Sequence, residues 1–118
     1  GGFWAPNKED LFRIRKEFEM NLIDIQKITS DEIFVKYFEE LKGEEAVKIA
    51  PKGFDKNDSA ISLIKKKQFV VMRKFTDDEV FSANFQKEII LTFLAMRPFF
   101  DYMSEVLTTN LNGESLFE

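Results

Sequence analysis

Asp55, Asn57 and Ser59 stand at alternate positions in the stretch 50–69, APKGFDKNDSAISLIKKKQF. Oxygen-bearing side chains so spaced open a calcium loop of the EF-hand type. Such a loop then needs Gly at its sixth position for a sharp turn and a bidentate Glu at its twelfth. Ala60 and Lys66 stand there instead, so the stretch reads as a turn leading into a capped helix, and no metal site is expected. The same stretch supplies cations. Lys52 beside Gly53 offers a small anion site with Asp55 next to it, because a turn exposes backbone N–H groups. Lys65-Lys66-Lys67 suggests a phosphate contact, but three lysines in a last helical turn also answer the negative end of a helix dipole. Asp77-Asp78-Glu79 is the densest carboxylate group and has the chemistry for Mg²⁺ or acid–base work. At a helix N-terminus, however, such acids are stabilised without any ligand. Arg97 precedes Pro98 inside a helical pattern and either meets carbonyls freed by the proline or pairs with a carboxylate. The candidate binding residues are therefore Lys52, Gly53, Asp55 and Arg97, and no catalytic residue is assigned.

The composition limits the chemistry further. The 118 residues contain no His and no Cys. Ordinary zinc sites and Ser-His or Cys-His nucleophile pairs are thus excluded within this chain. No cofactor is expected. With 17 basic and 21 acidic residues well mixed and a net charge of −4, no phosphate-tracking groove and hence no nucleic-acid partner is expected. The longest apolar stretch, IILTFLAM at 89–96, is far short of the ~20 residues of a membrane span. Absence of cysteine suits a reducing cytoplasm, the expected compartment.

These residues must be held by a fold. Pro6-Asn7 with Glu9 and Asp10 reads as a helix start, and Leu11, Ile14, Phe18, Leu22, Ile25 and Ile28 predict one amphipathic helix over 8–28. Thr29 and Glu32 form a predicted capping box for a helix through Ile33, Phe34, Tyr37, Phe38 and Leu41 that stops at Gly43. Ala46–Ala50 reads as a short strand, Pro51 and Gly53 as a turn, and Asp58-Ser59 as the cap of a short helix ending near Lys67. The stretch 68–75 is the best strand. Thr76 and Glu79 box a short helix. A last long helix starts near Ser82 or Ala83 and carries Phe85, Ile89, Phe93, Met96, Phe100, Met103 and Leu107 inward, with a kink or break ahead of Pro98. Residues 110–118 are expected to fray. The expected fold class is α+β and predominantly helical, with two long amphipathic helices and shorter ones around a small β element, in a single domain over 1–118.

Three stretches resemble a family of uncharacterised bacterial proteins, the domain of unknown function 2461. Gly1-Gly2-Phe3-Trp4-Ala5-Pro6 with Leu11 and Ile14-Arg15 is similar to its G-G-x-W-x-P…L-x-x-I-R stretch. Pro51-Lys52-Gly53-Phe54-Asp55 followed by Leu63 through Phe69 resembles P-x-G-F-D…L-x-K-x-F, and Arg97-Pro98-Phe99-Phe100 resembles its late P-F segment. The resemblance implies a longer protein of which this is the C-terminal half. The family's Arg-Asp-Arg-rich hallmark would lie in the N-terminal half, and no residue here matches it. The missing half is accordingly the expected partner. Three function classes follow: a structural helical module without a complete active site; one wall of an enzyme site for an anionic small molecule, shared with that half; or a protein-interaction module using the apolar surface around Phe3 and Trp4.

Overall fold

The computed structural model describes residues 1–43, 46–109 and 114–116. Elements follow in the order β1 (Gly2–Phe3), α1 (Lys8–Met20), α2 (Leu22–Thr29), α3 (Glu32–Phe38), α4 (Ile61–Ile64), β2 (Phe69–Val70), α5 (Asp77–Val80) and α6 (Phe85–Thr108). This is the predominantly helical α+β class that the residue pattern predicts. No described helix is long and apolar enough to cross a membrane.

Asn7 caps α1, its side-chain oxygen accepting from the Asp10 N–H at 2.8 Å. The single helix predicted over 8–28 is two helices. Asn21 leaves the helical region (φ −131°, ψ 48°), and its side chain donates to Glu17 at 3.0 Å. A short amide competes in this way for local hydrogen bonds and ends helices. The apolar spacing hides the break, because Ile14, Phe18 and Ile25 are all fully buried on either side of it. The predicted Thr29 box also gives way. Thr29 donates instead to the Ile25 carbonyl, and Asp31 caps α3 by accepting from Ile33 and Phe34 N–H. That helix ends before Gly43, at Glu39, whose φ of 66° turns the chain. Leu41 is still buried, but from the loop.

The β element is smaller than predicted. Of 68–75 only Phe69–Val70 is strand, antiparallel to β1 with Gly2 opposite Val70 and Phe3 opposite Phe69. Val70 meets Lys42 on its other side, and 46–50 contributes one bridge, Ala46 to Lys66. The helix after Asp58 spans Ile61–Ile64 and stops short of Lys67. The Thr76–Glu79 capping box forms as predicted.

α6 runs unbroken past the exposed Pro98. Its buried residues are Thr92, Ala95, Met96, Phe99, Met103 and Val106, so of the predicted face Met96 and Met103 are buried and Phe100 and Leu107 pack at the core's edge, while Phe93 is 64% exposed. Apolar residues occupy more than one side of this helix, so the period alone does not choose the face. The core centres on Phe18, Phe38, Phe69 and Phe99, none of them solvent-exposed. Phe18 meets Phe69 edge-on at 5.5 Å, and Phe34 joins Phe38 and Phe99 edge-on at 5.4 and 6.5 Å. Each such burial contributes about 1.5–3 kcal/mol. The tail predicted to fray lies mostly outside the described residues, apart from a bridge between Thr109 and Ser115.

Candidate functional site

The three motif stretches meet in space, and what they do there is hold the fold. A Cβ on Gly2 would collide with the Phe69 carbonyl oxygen and sit 2.5 Å from Val70 Cα, so only glycine lets β1 lie this close to β2. Phe3 then packs on Phe99 and Phe100 with ring centroids 6.3 and 6.0 Å apart. Arg15 reaches across to donate to the Ile64 and Lys66 carbonyls at 2.5 and 3.4 Å. It thereby caps the end of α4 with a cation, and burial lowers its pKa. Phe54 anchors the 51–55 turn on α1, its ring 6.0 Å from Phe12 and 4.8 Å from the Lys16 ammonium.

The residues singled out from sequence do not form one cluster. Asp55 borders a hollow of about 610 Å³ with Lys48, Lys56 and Lys65. Its carboxylate accepts from the Asn57 N–H at 2.8 Å, and Asp58 accepts likewise from Ala60. These acids serve their own turns, and among the described residues no group of three metal-ligating side chains occurs. Lys52 and Gly53 are not in the lining of that hollow. Gly53 has a φ of 90°, with open space where a Cβ would stand. Arg97 lies on the exposed side of α6 and pairs with Asp101 at 3.2 Å.

A second group gathers beside β2. Lys36, Lys42, Arg73 and Lys74 line a hollow of about 510 Å³ with one carboxylate, Glu39, and a floor of Tyr37, Phe38 and Met72. Through Lys42 and Met72 it runs into a neighbouring hollow of about 490 Å³ bordered by Trp4, Lys66 and Gln68. Arg73 sets the geometry of this groove. Its guanidinium lies 4.7 Å from the Tyr37 ring centre and 4.5 Å from that of Phe75. It donates to Thr92 at 2.6 Å and to Glu88 at 3.0 Å on α6, with Glu79 3.9 Å away. A fork so engaged cannot also clamp a ligand. Lys42 has Glu39 only at 4.0 Å, across an exposed rim, and Lys74 makes no ion pair among the described residues. The groove thus holds two lightly engaged ammonium groups, with a third on Lys36 5.7 Å from the Tyr37 ring. Ammonium groups over an apolar floor attract anions and offer no nucleophile or general base at neutral pH.

Residue-by-residue reading missed this groove. Lys36 falls on the polar side of a helix, Lys42 in a loop, and Arg73-Lys74 at the end of a strand, and only the fold brings them together. A family model described as a conserved hypothetical protein (DUF2461) matches residues 1–102. No curated protein and no solved structure gives a match. With most of its length matched, and with Gly2, Arg15, Phe99 and Phe100 of the motif stretches engaged in one fold, the chain belongs to the DUF2461 family.

Proposed function

We propose that this chain is a helical scaffold without a complete catalytic set of its own that presents one basic wall of a site for an anionic small molecule. The observation that carries the reading is the convergence of Lys36, Lys42 and Lys74 on one apolar-floored groove in a chain of net charge −4. Mixed surface charge would scatter such groups, and a groove with low-dielectric walls concentrates their field. An N-terminal half of the same protein would close the groove and bring any reacting groups. Arg97, whose only carboxylate partner among the described residues is itself exposed, is the proposed contact for that half.

Titration of the ¹⁵N-labelled chain with pyrophosphate tests the reading. Shifts are expected at residues 36–42 and 72–74, and the double variant Lys42→Gln, Lys74→Gln should weaken binding about tenfold or more, at roughly 1 kcal/mol per lost charge contact. Shifts spread evenly over the surface, or none below ~10 mM, weaker than millimolar affinity, would overturn it. A second reading is favoured by the hollow among Lys48, Asp55, Lys56 and Lys65, with Lys52 and Gly53 on the adjoining turn. In that reading the shifts centre on 48–56, and Lys52→Ala weakens binding without unfolding the chain.

A further inference from the structure

The ladder joining β1 to β2 continues past Val70. Gly1 and Val71 exchange both backbone hydrogen bonds, at 2.8 and 2.9 Å, and so form a hydrogen-bonded antiparallel pair. In such a ladder the backbone groups of Arg73 and Phe75 point the same way as those of Val71, toward the β1 side. Those of Met72 and Lys74 point the other way, as Val70's do toward Lys42. Among the described residues, Met72–Phe75 make no backbone–backbone hydrogen bond at all.

The stretch is nevertheless extended. A Cβ on Gly1, opposite Val71, would lie 3.8 Å from Met96 and 3.1 Å from Phe100. Arg73 bonds Thr92 and Glu88, and Phe75 meets Phe85 at 5.1 Å. From Met96 to Phe85, α6 covers about 16 Å, and four residues approach that span, at about 13 Å, only when drawn out fully. Between the stretch and the helix lies an apolar groove of about 450 Å³, closed at one end by Gly1 and walled by Val71–Phe75 on one side and Ile89, Phe93 and Met96 on the other.

We infer that this groove seats an extension of β1: about four residues of the same polypeptide, ahead of Gly1 and joined to it by a peptide bond, paired antiparallel with Met72–Phe75. Continuity of the ladder selects this occupant. The Gly1 nitrogen already donates to Val71 as a ladder amide would, and a separate strand in the groove would have to end against it. Residues directly opposite share a face. The second and fourth residues before Gly1 stand opposite Arg73 and Phe75, on the α6 side, and should be apolar to cover Phe93 and Ile89.

Amide hydrogen exchange tests this on the 118-residue chain and on the chain lengthened by Val-Thr-Val-Thr ahead of Gly1. In the lengthened chain the Arg73 and Phe75 amides should exchange about five- to tenfold more slowly, the factor expected of one net hydrogen bond, while Met72 and Lys74 stay unchanged. A control extension, Val-Thr-Pro-Thr, should lose the protection, since proline opposite Arg73 leaves the Arg73 carbonyl without its donor and breaks the ladder there, so that the strand beyond Gly1 no longer docks. Unchanged exchange, equal protection of all four amides, or protection that survives the proline would each overturn the inference. So would the same protection from the tetrapeptide added free in solution.

Discussion

Arg73 and Tyr102 are held in opposite ways, one by a full set of partners and one by burial alone. Arg73, just past β2, holds α6 through hydrogen bonds to Thr92 and Glu88 and lies against the rings of Tyr37 and Phe75. Lysine keeps the charge but neither the fork nor the planar stack. Arg73→Lys should therefore cost about 1–2 kcal/mol in urea denaturation, and a cost no greater than that of an exposed surface change would show that the network is loose. Tyr102 is the opposite case. Its hydroxyl is buried without a hydrogen-bond partner among the described residues, and burial, with Glu17 and Asp24 adding to it, pushes the phenol's pKa well above its ordinary value. Below the ordinary value of about 10 both folded and unfolded chains keep the proton. Above it the unfolded chain ionises first, so stability falls as pH rises from there toward the folded-state pKa. Tyr102→Phe should be neutral or stabilising at pH 7 and should remove that alkaline loss, measured as urea midpoints from pH 8 to pH 11. Neither side chain announces itself in the sequence, since a lone arginine in an extended stretch and a tyrosine on a helix acquire these surroundings largely from elements distant along the chain.

At the scale of elements, local signals survive folding and period signals survive only in part. The Thr76–Glu79 box is legible because its donors and acceptors lie within four residues of one another. Asp31 displaces Thr29 as the cap of α3 because two candidate oxygens compete two residues apart, and geometry chooses between them. In α6 Phe93 and Leu94 meet solvent although both are apolar, because apolar residues stand on more than one side of the helix and the period alone does not choose among them. Pro98 gives this helix a direct test. It sits exposed in an unbroken helix and leaves the Leu94 carbonyl without its usual donor. Pro98→Ala should raise stability by about 1–3 kcal/mol, the helix-interior cost of proline less its effect on the unfolded chain. A lower melting temperature would mean that the proline shapes the helix to fit Phe99 against Phe34.

For the whole molecule, the helical class and the apolar core were legible because burial follows composition and spacing. The basic groove was not, being assembled from residues 36, 42 and 72–74. The two-residue β1 makes contacts far along the chain. Gly1, just ahead of it, bonds a carbonyl 70 residues away, and Phe3 rests on α6. Closing so long a loop costs entropy before any contact offsets it, so β1 is expected to dock after the folding barrier is crossed. Phe3→Ala should then speed unfolding about ten- to a hundredfold while leaving the refolding rate within about twofold, as for contacts absent from the transition state. Stopped-flow chevrons measure both limbs, and a slowed refolding limb would place β1 in the nucleus. Residues 1–3 act as a latch: they set how long the native state lasts once formed, and a change that undocks them would shorten its lifetime without hindering its formation.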